Sequence, residues 1–166
     1  MKLRPVQPSE RDLVFAWNEQ FAPHVGALAR DDFDALLDAA AGALLIEHEG
    51  EPAGFLVTFR EGADYASENY RYFASRYDSF LYVDRIVVAI EFQRTGIGRL
   101  VYQDLERTAR EEGLGHIACE VNLKPPNPDS IAFHERIGFR EVAQQDTCGG
   151  EKRVSLLIKH CGLEGR

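Results

Sequence analysis

Positive charge is in short supply. Lysine and arginine number 19 against 27 acidic residues, a formal net charge of −8. No basic stripe is visible to track phosphates, which argues against a nucleic-acid binder. Cysteine is scarce as well. Cys119, Cys148 and Cys161 are an odd set without C-x-x-C spacing, so neither a disulfide framework nor a metal site is expected. Read as reduced thiols, they imply the cytoplasm. Long apolar runs are missing too. The opening "MKLRPVQPSERD" lacks the stretch a secretion signal needs, and nothing approaches the length of a membrane span. There is no repeat and no low-complexity segment. What is present is ordinary: 166 residues, 45% hydrophobic and 28% charged, enough for a single domain over 1–166 with a substantial core. The acidic surface suits a cationic or amine-bearing partner.

The chain divides into short periodic segments. "KLRPV" is a strand stopped by Pro5 and Pro8. Ser9 and Asp12 stand at capping-box-like spacing for a helix to Phe21, with Leu13, Ala16, Trp17 and Phe21 on one face. A second helix spans 31–41, with acids in its first turn. "ALLIEHEGEPAGFLVTFRE" predicts a hairpin of strands 43–48 and 53–60. Residues 61–79 carry Tyr65, Tyr70, Tyr72, Phe73 and Tyr77 without a clean period. They read either as a lid or pocket wall, or as an extra helix packing its aromatics on the core. "FLYVDRIVVAI" (80–90) is the strongest strand signal. Ile97, Val101, Leu105 and Ala109 mark an amphipathic helix that Gly113 stops. "HIACEVN" is a strand, and "PPNPDSIAFHERIG" a short helix with Asn127 as N-cap, Pro128 at its first position and Gly138 as C-cap. "FREVAQQDT" and "EKRVSLLIKH" close the chain as strands joined at Gly149 and Gly150. The order β-α-α-β-β-β-α-β-α-β-β implies a mixed sheet flanked by helices.

"QRTGIG" (93–98) stands between the strongest strand and the strongest helix. A helix N-terminus presents unpaired N–H groups and the positive end of the helix dipole. Small residues before it let an anion come close, so the turn is a candidate phosphate site. Gln93, Arg94 and Arg99 add donors or charge. Val101 stands where a dinucleotide fold has its third glycine, and there is no Gly-Lys-Ser/Thr, so neither nucleotide motif is met. The bland alternative is a glycine-softened connection that binds nothing.

In this context the sequence resembles the GNAT superfamily of N-acetyltransferases. The signature is an apolar pair ending a strand, then Gln/Arg-x-x-Gly-x-Gly/Ala opening a helix. Here that is "VV" (87–88) and "QRTGIG". A later helix ends in Gly-Phe, here "NPDSIAFHERIGF" (127–139), with a strand between the two. The element order fits from "KLRP" to "LLIKH". The resemblance implies an α/β (α+β) fold, a mixed and mostly antiparallel sheet of six to seven strands with helices on both faces. It implies acetyl-CoA as cofactor, its pyrophosphate on the main chain of Gln93, Arg94, Thr95, Gly96, Ile97 and Gly98, beside Arg99. The pantetheine arm would lie along Ile86, Val87 and Val88, where that strand splays from "HIACEVN".

Acyl transfer to an amine needs a neutral amine, a polarised thioester carbonyl and a proton for the leaving thiolate. The family commonly places a tyrosine in the last helix as proton donor; this chain has His134 there, read as either a chemical or a packing residue. Asp84 shares a strand face with Tyr82 and Ile86. It reads as base or amine anchor, or as the structural partner of Arg71 or Arg76. Glu120 is a weaker candidate on the neighbouring strand. Asn127 and Ser130 cap the last helix and, in the family, also touch the cofactor arm. Tyr70, Phe73, Arg76, Tyr77, Tyr82 and Glu120 are expected to shape the acceptor site, together with Asn69. No cysteine occupies the expected centre, so direct attack in a ternary complex is expected. The acceptor is a small-molecule or peptide amine, with no nucleic acid and no membrane, and a homodimer fits the family habit. The competing readings are a non-catalytic acyl-CoA sensor or interaction module, and a nucleotide binder using the same turn.

Overall fold

The computed structural model describes residues 1–162. Seven strands form one sheet in the order β1-β2-β3-β4-β5-β7-β6. By packing, the chain divides into two compact units. One holds Met1–Phe59 and Val83–Asp104; the other holds Arg60–Tyr82 and the chain from Leu105 on.

In the first unit, β1 (Lys2–Pro5) pairs antiparallel with β2 (Gly42–His48), which pairs antiparallel with β3 (Glu51–Arg60). The hairpin turns at Glu49 and Gly50, both at positive φ (53° and 83°), so β3 starts two residues before the expected boundary. Helix α1 (Arg11–Gln20) follows a 3-10 turn at Pro8–Glu10. Its entry is fixed by the Gln7 N–H donating to the Glu10 carboxylate at 2.8 Å, rather than by Ser9. It buries Val14 and Asn18, while Leu13 of the expected face is 38% exposed. After the short α2 (Ala22–Val25), α3 (Arg30–Ala39) buries Phe33, Leu36 and Leu37. Phe33 meets Phe55 of β3 edge-on at 5.9 Å, an arrangement favoured by the ring quadrupoles.

Strand β4 (Phe80–Val88) and helix α5 (Ile97–Glu111) each contribute to both units. In the second unit, Phe80, Leu81 and Tyr82 of β4 run parallel to His116, Ile117 and Ala118 of β5 (His116–Lys124). That ladder ends at Tyr82 and Ala118. β5 pairs antiparallel with β7 (Lys152–His160), which pairs with β6 (Arg140–Thr147). The aromatic stretch before β4 forms helix α4 (Glu68–Ala74), capped by Ser67 accepting from the Tyr70 N–H. Tyr70 and Phe73 are 2% and 0% exposed, and their rings pack on Phe80 and Tyr82 at 5.5–6.5 Å. Burying four aromatic rings stabilises a helix too short to persist alone. Helix α6 (Pro128–Arg136) joins β5 to β6 and ends before Gly138, whose φ of 95° stops it.

Candidate active site

The turn at 93–98 is the candidate anion cradle. Arg94 (φ 59°) and Gly96 (φ 86°) adopt left-handed conformations on either side of Thr95, and left-handed residues in such turns are what anion-binding nests are built from. Residues 93–96 are exposed, while Ile97 is buried and anchors the first turn of α5. The Leu100 N–H donates to the Gly96 carbonyl at 3.1 Å, which starts the α5 ladder. The N–H groups before it lie ahead of that ladder, as at any helix start. Two side chains brace the turn. Gln93 Nε2 donates to the Val88 carbonyl at 3.0 Å, and Thr95 Oγ1 to the Phe92 carbonyl at 2.5 Å. No atom lies within 4 Å of a Cβ added at Gly96, so the space above it is open. These residues fit a diphosphate.

Along β4, Val83, Arg85 and Val87 are buried, while Ile86 and Val88 at the end of the other face are half-buried. On that other face Tyr82 is fully buried and the Asp84 side chain is only 5% exposed. Asp84 has an ion-pair partner within its own unit. Its Oδ2 accepts from Arg85 Nε at 2.8 Å, and both side chains are at least nine-tenths buried. Arg85 Nη1 donates in turn to Asn18 Oδ1 at 2.7 Å. The carboxylate is thus neutralised inside the first unit. Asn18 escaped the sequence reading, although a signal existed: it lies four residues after Val14 on the buried stripe of α1, where an unpaired amide would be costly.

On the other unit, Tyr82 and Glu120 come together. Tyr82 is fully buried, and its hydroxyl donates to Glu120 Oε2 at 2.7 Å. Glu120 lies two residues beyond Ala118, the last β5 residue in the parallel ladder, and so on the same face as Ala118 and Tyr82. A half-buried carboxylate held by a buried phenol is a candidate proton acceptor or ammonium anchor.

His134 is 5% exposed, wedged edge-on between Phe133 and Phe139 at 5.2 and 5.3 Å. Its Nδ1 lies 2.7 Å from the Ser130 carbonyl and 3.3 Å from Ser130 Oγ. A carbonyl can only accept, so the proton sits on Nδ1. Burial pushes the imidazole pKa below its usual value, more than the Ser130 bond raises it. The Nδ1–H of His134 is thus engaged with Ser130 of its own helix, in a buried, aromatic-lined setting. Ser130 is correspondingly engaged within its own helix. Asn127 precedes α6 as expected, but its side chain makes no capping bond. It lines instead an open groove of about 280 Å³, with Asn122, Leu123, Pro126, Ile131 and Glu135 among the other walls.

The aromatic segment divides. Tyr70 and Phe73 are core, not acceptor wall: the Tyr70 hydroxyl donates to the Arg60 carbonyl at 2.7 Å and accepts from the Ala63 N–H at 2.9 Å. The Tyr77 ring packs against His116 at 4.8 Å, tilted by 58°. Arg76 remains exposed, lying over the Tyr72 ring at 3.9 Å.

The model of the acetyltransferase (GNAT) family matches residues 9–139. The chain belongs to the GNAT family. Its domain superposes on the ribosomal-protein-S18-alanine N-acetyltransferase of Escherichia coli with a TM-score of 0.71, 15% identity and coverage of 99% of this chain and 96% of that one. Naa20 of Chaetomium thermophilum, solved with a bisubstrate analogue, gives 0.71 at 17% identity, covering 96% and 86%. An aminoglycoside 6'-N-acetyltransferase complexed with coenzyme A gives 0.70 at 13%, covering all of both chains. These neighbours establish the GNAT fold, a mixed and mostly antiparallel seven-stranded sheet flanked by helices. In sequence, "Probable N-acetyltransferase 14" of Danio rerio is 35% identical over 77 residues, 45% of this chain. The match spans a quarter of that relative's length. No helix among the described residues is long and apolar enough to cross a membrane.

Proposed function

We propose that this GNAT domain is an acetyl-CoA-dependent N-acetyltransferase that acts on a primary amine by direct attack. The observation that carries the reading is the cradle at 93–98, where Arg94 and Gly96 take left-handed conformations at the mouth of α5. Main-chain donors there and the guanidinium groups of Arg94 and Arg99 would hold the diphosphate. The polar edges of Ile86, Val87 and Val88 would pair with the amide-bearing arm. Asn127, whose side chain does not cap its helix, and Ser130 would contact the arm from α6. When bound, acetyl-CoA supplies the thioester carbonyl that the amine attacks.

Glu120, oriented by Tyr82, would receive the acceptor as an ammonium and accept its proton. Asp84, already neutralised by Arg85, would act by fixing β4 rather than as a base. His134 would serve as a neutral hydrogen-bonding group of α6. Arg76 and Tyr77 would border the acceptor. The three free thiols, Cys119 and Cys161 buried and Cys148 exposed, support a reducing compartment such as the cytoplasm.

A second reading, an acyl-CoA-binding module without turnover, is favoured by one observation: a histidine, His134, stands buried at the position of the family's tyrosine. Thiol release over a panel of amines separates the two. Steady release that falls in Glu120→Gln supports the transferase. Coenzyme A binding without release from any amine supports the module.

A further inference from the structure

His116 opens β5 and His160 closes β7, directly opposite each other in the antiparallel ladder. The Cys161 N–H donates to the Gly115 carbonyl at 2.9 Å. That bond flanks the histidines and makes them a non-hydrogen-bonded pair, the kind with Cα atoms only about 4.5 Å apart. Their imidazoles stack, with centroids 4.9 Å apart and planes 28° from parallel. Each ring is also held by a main-chain carbonyl. His160 Nδ1 donates to Gly115 at 2.9 Å, and His116 donates to Ser79. A neutral imidazole has one N–H, so the second nitrogen of each ring is an acceptor. His160 is exposed and His116 half-buried, so solutes reach the pair from solvent.

We propose that His116 and His160 are the two protein ligands of a site for a divalent transition metal of the imidazole-preferring class, zinc, nickel or copper. A histidine whose N–H rests on a carbonyl is in the usual form of a metal ligand: the bond fixes tautomer and ring and leaves the other nitrogen for the metal. Burial foremost, then His160 and Arg140, lowers the His116 pKa, so protons compete little for its nitrogen at neutral pH. Two metal–nitrogen bonds of about 2.0–2.1 Å set the nitrogens roughly 3–4 Å apart. Rings 4.9 Å apart on directly opposed residues reach that by tilting toward each other. Among the described residues no group of three or more His, Cys, Asp and Glu side chains is placed to hold a metal, so water completes the coordination. Cys161 follows His160 and points to the opposite face of the sheet. Magnesium and calcium gain nothing here, because the ligands are neutral nitrogens and Arg140 adds positive charge nearby. The pair shares a sheet face with Glu120 but stands four residues from it along β5, about 13 Å. The metal would therefore clamp β5 to β7 and take no part in acyl transfer.

The test uses the full chain, untagged and carrying Cys148→Ser, because the exposed Cys148 thiol is a competing soft ligand. Ni2+ is titrated in by calorimetry at neutral pH while the histidine ring resonances are followed. One equivalent is expected to bind and to broaden His116 and His160 before any other residue. His116→Gln and His160→Gln keep a side-chain N–H for the carbonyl and remove the ring nitrogen. Each should weaken binding at least about tenfold and leave the metal-free melting temperature unchanged, which shows that the fold is intact. Zn2+ should raise the urea midpoint of the parent and of neither variant. Mg2+ should leave all three unmoved. No binding at millimolar Ni2+, or broadening centred on other residues, would overturn the proposal. So would a loss confined to one of the two substitutions, which would leave a single surface histidine holding the ion.

Discussion

Tyr82 holds Glu120: a fully buried phenol donates to the carboxylate at 2.7 Å across neighbouring strands. The ring is clamped by Tyr70 and Phe73, so the hydroxyl is a fixed donor. Tyr82→Phe keeps the packing and removes the donor. A hydrogen bond to a charged group contributes about 1.5–3 kcal/mol. The substitution should lower kcat/KM for the amine by about 10- to 100-fold, with little change in acetyl-CoA affinity. Steady-state thiol release beside a coenzyme A titration checks both halves.

His134 links pH to stability. Burial lowers its folded pKa below the unfolded value, so the folded protein binds fewer protons than the unfolded chain as pH falls. Stability from this group is intact above the unfolded pKa, about 6.5. It declines as pH drops below that value and stops changing beneath the folded pKa. Urea midpoints measured from pH 7.5 to 5 should fall for the wild type. In His134→Gln the fall should be shallower, the remainder coming in part from His116, whose pKa is lowered chiefly by burial and also by His160.

Arg85 and Asp84 form a pair at least nine-tenths buried on both sides. Arg85→Met leaves the carboxylate without that counter-ion and removes the donor to Asn18 Oδ1. It should cost about 3–5 kcal/mol. Adding Asp84→Asn should recover part of the loss. Equilibrium urea unfolding of the two single variants and the double variant measures the coupling.

Two glycines should fail in different ways. A Cβ at Gly54 would lie 2.1 Å from the Val87 carbonyl, a backbone atom that cannot move aside without displacing β4. Gly54→Ala should therefore lower the melting temperature sharply or abolish folding. At Gly96 the space is open and only the positive φ of 86° opposes a side chain, a penalty of about 1–2 kcal/mol. Gly96→Ala should stay folded and lose affinity for acetyl-CoA. Thermal melts and calorimetric titration separate the two outcomes.

What could be read beforehand follows from the range of the interactions involved. Strand β4 announced itself through an unbroken apolar run, and α5 through Ile97, Val101, Leu105 and Ala109. The turn at 93–98 was legible because its signal is local: six residues carry the glycines and the helix start. Helix α4 is only seven residues long, too short to show a period, so the sequence left open whether Tyr70 and Phe73 form a pocket wall or pack a helix on the core; they pack on the core. The partner of Asp84 was missed for a geometric reason. Strand alternation sends the Cβ atoms of residues 84 and 85 to opposite sides, yet the long arginine stem brings Nε within 2.8 Å of the carboxylate. Tyr82–Glu120 and Asn69–Gln145 join positions 38 and 76 residues apart. Such pairings depend on sheet register, which a single sequence does not specify.

The cradle is tested most directly by following the backbone amide resonances of residues 93–100 while acetyl-CoA is added. Saturable shifts concentrated at residues 94–99, weakened in Gly96→Ala while a Glu120→Gln variant binds normally, are the expected result. No binding at saturating acetyl-CoA, or shifts that leave these amides untouched, would contradict it.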